Sequence, residues 1–283
     1  MTKARGHVKT EATLLRARGI GSSLARDAET RMRLTGKVAL ITNCSHFMGP
    51  AITEEFAREG ATLALHDREM KAAAPLVALA ERLGRTALAL TGDLTESAEA
   101  DRAVDAVVAR FGRLDVLVNN NACPPAGSAT ENVTDAAWRE LMARLLDEPF
   151  YCLRAALRVM RPARRGKIIN MSSAAAFPGL ARYAAYTAAR AGVNGLTKAV
   201  GREVARDGIQ VNAIAQNYVE NPTYFPPELT SDPKALERML KNIPAGRIAR
   251  SEESARLAVY LASEDADFFV GQVIPFAGGW VTP

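Results

Sequence analysis

An α/β protein, a doubly wound parallel sheet of about seven strands with helices on both faces, is the fold class this sequence predicts. Three observations carry that reading. Short apolar runs alternate with helix-length segments along most of the chain, the pattern of successive strand–helix–strand units. Three of the helical segments stop at Gly60, Gly84 and Gly112, the residue that most readily closes a helix. The length of 283 residues suits one large domain with a sizeable core plus a tail.

The elements follow in order. Lys37–Thr42 is a buried strand, a loop follows, and Pro50–Glu59 is a helix ending at Gly60. Thr62–Asp67 is the second strand, and a helix over 70–83 closes at Gly84. Thr86–Leu90 is the third strand, running into Gly92-Asp93-Leu94 before a helix over 97–111. Leu114–Asn119 is the fourth strand. A long helix over 135–160 is expected to kink at Pro149, because proline removes a backbone donor. Lys167–Met171 is the fifth strand, 181–206 a helix and Ile209–Ile214 the sixth strand. Helical stretches over 233–241 and 251–262 precede the last strand, Gln272–Phe276.

Composition excludes several classes. No apolar run is long enough to span a membrane. Cys44, Cys123 and Cys152 are scattered and odd in number, so they form neither a disulfide framework nor a zinc site, and a reducing cytoplasm is the expected compartment. His7, His46 and His66 lack metal-ligand spacing. The formal charge of +5 resides in residues 1–36, where eight Lys/Arg face three acids. Basic charge confined to one end does not support nucleic-acid binding. It has no apolar core of a secretory signal. Residues 1–35 are therefore expected to be a flexible basic extension, and 36–283 the single catalytic domain.

The chemistry concentrates between Ile168 and Lys198. Ser173 stands at the carboxyl end of a predicted strand, and Tyr186 and Arg190 stand four apart on a predicted helix, hence on one face. A hydroxyl, a phenol and a permanent cation can converge there. A phenol titrates near pH ~10, and a neighbouring positive charge favours its ionised form. Tyr186 beside Arg190 is thus expected to be a general base usable near neutral pH.

Ser173, thirteen residues before a Tyr186-x-x-x-Arg190, resembles the short-chain dehydrogenase/reductase family, whose motif carries Lys at the Arg190 position. That Lys also binds the nicotinamide ribose, so its replacement bears on hydride chemistry. A dinucleotide site needs glycines for its tight turn and for backbone approach to the pyrophosphate. The family pattern is T-G-x-x-x-G-x-G. Here it reads Thr42-Asn43-Cys44-Ser45-His46-Phe47-Met48-Gly49, with Asn43 and Phe47 at the first two glycine positions. Asn119-Asn120-Asn121-Ala122 replaces Asn-Asn-Ala-Gly, Leu145 occupies the position of a catalytic Asn, and Gln216-Asn217 stands for Pro-Gly. Asp67 and Asp93 sit where acids contact ribose and adenine, and are read as relics or caps. The fold is expected to be Rossmann-like with a degenerate nucleotide loop.

Together these departures resemble the halohydrin dehalogenases, a cofactor-free branch of that family. The loop through Phe47-Met48-Gly49-Pro50, the Ser173–Tyr186–Arg190 set and Gln216-Asn217-Tyr218 leading to Asn221-Pro222-Thr223-Tyr224-Phe225-Pro226 carry the resemblance over about residues 36–281. It implies a halide site made by Phe47 and the backbone N–H groups of Asn217, Tyr218 and Val219. Pro125, Tyr183, Tyr224 and Phe225 are implied to line the substrate side. The implied reaction is reversible ring closure of a vicinal halohydrin to an epoxide, with epoxide opening by small anions in reverse, no cofactor and no metal. The implied assembly is a homo-oligomer, a tetramer. Two other readings stand beside it. One is an NAD(P)-dependent reductase with an atypical Tyr-x-x-x-Arg site, in which Tyr183, seven before Arg190, competes with Tyr186. The other is a non-enzymatic binding protein on the same fold.

Overall fold

The computed structural model describes residues 32–282, so the expected basic extension, 1–35, lies almost wholly outside the described residues. Leu34 is fully buried and its N–H donates to the Glu59 carbonyl. The packed chain therefore begins ahead of residue 36, the boundary expected from charge, and residues from Arg33 onward form one compact unit.

Seven strands make one parallel sheet: β1 (Val38–Ile41), β2 (Thr62–Asp67), β3 (Ala87–Thr91), β4 (Val116–Asn119), β5 (Gly166–Ser173), β6 (Ile209–Gln216) and β7 (Val273–Phe276). Their order is β3-β2-β1-β4-β5-β6-β7. Every residue of β1 and β4 is buried, because strands covered on both faces need apolar residues at consecutive positions. Neighbouring residues point to opposite faces. Ala39, Ile41, Leu63 and Leu65 pack with α1 (Gly49–Arg58), α2 (Met70–Arg82) and the late helix Ser251–Ala262. Val38, Leu40 and Ala64 pack with α3 (Ser97–Phe111) and the helix Glu148–Ala163 on the other face.

The chain winds outward from β1 in both directions, since β1 pairs with β2 on one side and β4 on the other. That reversal opens a crevice beyond the carboxyl ends of the strands, the usual ligand position in such sheets. Both β5 and β6 run two residues further into this crevice than the sequence predicted. They pair with one another to their ends, placing Ser173 opposite Gln216.

The long helix differs from expectation. It comprises α4 (Asp135–Met142), a π-helical turn (Ala143–Asp147) and α5 (Glu148–Ala163). The irregularity thus lies ahead of Pro149. Proline has no N–H for the Leu145 carbonyl and its ring presses on that carbonyl, so the wider turn before it relieves the clash. The following helix, α6 (Ala184–Val204), starts three residues later than predicted. Tyr183 caps it in a non-helical conformation while Tyr186 lies in its first turn. The short α7 (Pro227–Thr230) and α8 (Pro233–Leu240) then lead to α9 (Ser251–Ala262) and β7.

Candidate active site

β5 delivers Ser173 to the crevice and α6 delivers Tyr186 and Arg190 beside it. The Ser173 hydroxyl accepts the Ala175 N–H at 3.2 Å, which leaves its own hydrogen to donate. Arg190 is fully buried. Its Nη1 donates to the Met171 carbonyl at 2.8 Å, and its Nη2 to the Asn121 carbonyl at 2.9 Å and the Tyr224 hydroxyl at 3.4 Å. The guanidinium lies 5.4 Å from the centre of the Tyr186 ring and 5.9 Å from that of Phe47. Burial works against its charge, but the adjoining phenols of Tyr186 and Tyr224 outweigh burial, and its pKa is raised. The expected set of three does converge. Arg190 is also a structural clamp joining β5, the end of β4 and the loop after β6.

The nucleotide loop keeps the backbone of its lost glycines. Asn43 and Phe47 have φ of 48° and 49°, in the left-handed region that costs a side chain about 1–2 kcal/mol. Gly49 is required as glycine, because a Cβ there would strike the Cys44 carbonyl. The loop's amides turn inward. Cys44 N–H donates to the His66 carbonyl, Ser45 N–H to Asp67 Oδ2, and His46 N–H to the Asn43 carbonyl. Phe47 N–H donates to Thr223 Oγ1 at 2.8 Å, Met48 N–H to Asn120 Oδ1 at 3.1 Å, and Gly49 N–H to the His46 carbonyl. Six consecutive amides of this loop, from Cys44 to Gly49, are engaged within the protein, those of Ser45, Phe47 and Met48 by the side chains of Asp67, Thr223 and Asn120. Asp67 is equally committed, accepting from Ser45 and from the Arg68 N–H. Asp93 accepts from Arg68 and Thr95. As the residues stand, a nicotinamide dinucleotide would meet loop amides and acids that already have partners within the protein, so the set fits it poorly. Among the described residues, no group of His, Cys, Asp and Glu could hold a metal.

The loop after β6 closes the other side. Asn221 organises it: its Oδ1 accepts the N–H groups of Thr223 and Tyr224, and its Nδ2 donates to the Val219 carbonyl. Tyr224 packs edge-on against Phe47, with ring centres 5.2 Å apart. Two of the three amides expected in the halide cradle have acceptors within the protein. Asn217 N–H donates to the Phe276 carbonyl at 3.1 Å, and Tyr218 N–H to Asn217 Oδ1 at 2.9 Å. Val219 is fully buried behind the pocket wall, held against Ala249 by the bridge between the two segments. The Tyr218 amide becomes available by turning a single side chain, that of Asn217. Tyr218 itself has φ of 53°.

A pocket of about 400 Å³ lies between these walls. Ser173, Tyr186, Phe47, Asn217 and Tyr218 line it, as do Pro125, Tyr183, Tyr224 and Phe225. Of the residues singled out in the sequence, Arg190 and Val219 sit behind its surface. Trp280 also lines it, its ring edge-on to Tyr218 at 5.9 Å. Sequence reasoning missed Trp280 because it reaches the crevice from beyond the last strand. It also missed Asn221 as the organiser of the loop, although Asn before Pro222 is a turn signal.

Residues 45–281 match a family model described as enoyl-(acyl carrier protein) reductase. A sorbitol dehydrogenase of Cereibacter sphaeroides is 35% identical over 260 residues, covering 89% of this chain and 100% of that protein. A 3-oxoacyl-(acyl-carrier-protein) reductase of Thermotoga maritima is 36% identical over 251 residues, covering 88% of this chain and 100% of its own length. Among solved structures, one described as a dehalogenation enzyme matches with a TM-score of 0.81 and 34% identity, over 88% of this chain and 100% of that one.

Proposed function

The chain belongs to the short-chain dehydrogenase/reductase superfamily, and within it we propose a halohydrin dehalogenase that closes vicinal halohydrins to epoxides without a nicotinamide. One observation carries this reading: six consecutive amides of the loop between β1 and α1 are engaged within the protein, while Ser173 and Tyr186 still open into a pocket walled by Phe47. Acid–base machinery is retained where the dinucleotide cradle is closed. The neighbour described as a dehalogenation enzyme supports it.

In this mechanism Ser173 donates a hydrogen bond to the substrate hydroxyl oxygen. Tyr186 takes the hydroxyl proton, with the permanent charge of Arg190 against its ring. The resulting oxygen lone pair forms a bond to the adjacent carbon, the carbon–halogen bond breaks, and the electron pair leaves with the halide. The halide departs toward the Phe47 ring edge and the Tyr218 amide, with the Asn217 side chain turned away. Phe47 and Tyr224 supply weakly polar ring edges suited to a large anion. The attack is intramolecular, so the protein supplies orientation, a base and a place for the leaving charge. Tyr186 returns its proton to solvent. The reverse sequence opens an epoxide with a small anion and reprotonates the alkoxide from Tyr186.

The second reading, an NAD(P)-dependent reductase, is favoured by the relatives described above, a sorbitol dehydrogenase and a 3-oxoacyl-(acyl-carrier-protein) reductase. A single experiment separates the two. Chloride or bromide release is measured from a panel of small vicinal halohydrins without nicotinamide, beside calorimetric titration of NAD(H) and NADP(H). Halide release with no measurable dinucleotide binding supports the dehalogenase. Micromolar dinucleotide binding with no halide release gives the reductase.

A further inference from the structure

The proposed mechanism uses the phenol of Tyr186 and the rings of Phe47 and Tyr224. Tyr224 packs on Phe47 and on Tyr186 with ring centres 5.2 and 6.3 Å away. The pocket holds a second group of rings that takes no part in the bond changes. Phe225 and Trp280 both pack on the Tyr218 ring, tilted at 5.6 Å and edge-on at 5.9 Å. All three rings line the pocket and are half-buried. Among the described residues no ring contact joins this group to the first.

The chain after β7 is shaped to bring Trp280 here. It turns through Gly278 and Gly279, with φ of 60° and 87°, a region that glycine enters without steric cost. A Cβ on Gly278 would press on the Ile243 side chain. The Trp280 N–H closes the turn on the Ala277 carbonyl at 3.0 Å. Leu180, Tyr183 and Trp280 pack against the apolar cluster that contains Tyr186. An apolar wall therefore leads from the base to the second group of rings.

Size and charge narrow what fills this space. The pocket volume is about 400 Å³. At roughly 30 Å³ for each water-sized group, the four or so non-hydrogen atoms of 2-chloroethanol take up ~120 Å³, and the ten or so of 2-chloro-1-phenylethanol ~300 Å³. The smaller compound leaves the second group of rings without a partner, and the larger one reaches it. Among the described residues that line the pocket, none is Asp, Glu, Lys, Arg or His. A charged substituent would give up its hydration there with no opposite charge to meet. Burial also raises the Tyr218 phenol pKa, which keeps that ring neutral.

We infer that Tyr218, Phe225 and Trp280 form an aryl subsite, and that the substrates of this pocket are uncharged vicinal halohydrins and epoxides bearing an aromatic substituent. Aromatic groups gain from edge-to-face and offset packing beyond the area they bury. This inference deepens the proposed function and rests on it for the reacting end of the substrate. The subsite itself rests on the walls of the pocket.

The test compares chlorohydrins that share their reacting carbons and differ in one substituent. They are 2-chloro-1-phenylethanol, 1-chloro-2-propanol with methyl in place of phenyl, and 4-chloro-3-hydroxybutanoate with a carboxylate. Chloride release is measured without nicotinamide for the wild type, Trp280→Ala and Trp280→Phe. The phenyl compound is expected to exceed the methyl compound by about ten-fold or more in kcat/KM, and the carboxylate to fall below both. In Trp280→Ala the phenyl-to-methyl ratio should fall about ten-fold, chiefly through KM, and Trp280→Phe should recover most of it. A second readout needs no turnover: calorimetric titration with 1-phenylethane-1,2-diol and propane-1,2-diol, which have no halide to lose. The phenyl diol is expected to bind the wild type about ten-fold more tightly, with that advantage reduced in Trp280→Ala. Equal kcat/KM for phenyl and methyl, equal binding of the two diols, a carboxylate turned over as well as the phenyl compound, or an unchanged ratio in Trp280→Ala each overturns the inference. Chloride release from the methyl compound would then leave the dehalogenase reading standing. Tighter binding of the phenyl diol with no chloride release from any compound supports the subsite and rejects the dehalogenase.

Discussion

Arg190 shows how one side chain can serve both chemistry and architecture. In a site where only its charge matters, Arg190→Lys would preserve function. Here the guanidinium bonds two carbonyls on separate segments and a phenol, and one ammonium cannot span them with the same planar fork. Arg190→Lys is expected to stay folded with a lowered melting temperature and a pH optimum moved upward. Arg190→Ala leaves two buried carbonyls without their donor and a cavity, and is expected to cost about 2–5 kcal/mol of stability. Urea unfolding beside activity assays at several pH values measures both. Tyr186→Phe differs in kind, since it removes one hydroxyl from a ring packed in the wall of the pocket. A drop in kcat of about 10²–10⁴-fold with an unchanged melting temperature is expected. If Tyr183→Phe gave that loss and Tyr186→Phe did not, Tyr183 would be the base.

The loop between β1 and α1 meets the first residue of α5 through a partly buried contact. Asn43 Nδ2 donates to Glu148 Oε1 at 2.6 Å. Burial raises the Glu148 pKa to about 7, with the Asn43 hydrogen bond acting against it. A glutamate in an unfolded chain titrates near pH ~4.3. Between these values the folded state holds a proton that the unfolded chain has released. The stabilising contribution of this protonated carboxyl is therefore fully present below the unfolded value and is lost as pH rises toward about 7. The loss is on the order of 4 kcal/mol. Glu148→Gln should flatten the pH dependence of the urea midpoint across that window and be the more stable protein at pH ~8, a comparison made by unfolding both proteins at a series of pH values. In the same loop, Gly49→Ala forces a methyl against the Cys44 carbonyl. Because the obstacle is backbone, a destabilisation of about 1–3 kcal/mol is expected, read from the same unfolding curves.

At the scale of the molecule, α5 and α6 present a face that includes the exposed Phe150, with Leu157, Arg158, Arg161 and Val200 beside it. The tetramer implied by family resemblance would pair these helices across two-fold axes. Light scattering at micromolar concentration should give four times the chain mass, and Phe150→Asp should lower it. A monomeric wild-type protein would refute the assembly. No helix among the described residues is long and apolar enough to cross a membrane.

The sequence by itself determined the parallel sheet, because strands covered on both faces must be written as unbroken apolar runs and their helices as segments closed by glycine. It also determined the register of Ser173, Tyr186 and Arg190, since a strand end and a four-residue helix spacing are local geometry. The loss of loop glycines was legible at Asn43 and Phe47. Only the tertiary structure decided what the loss meant. Whether an amide is free for a phosphate depends on an acceptor distant in the chain, as with Thr223 for Phe47 and Asn120 for Met48. The engagement of the Asn217 and Tyr218 amides, the entry of Trp280 and the sharing of Arg190 by two phenols are likewise contacts between segments far apart in sequence. Such contacts arise from packing, which leaves no periodic trace along the chain.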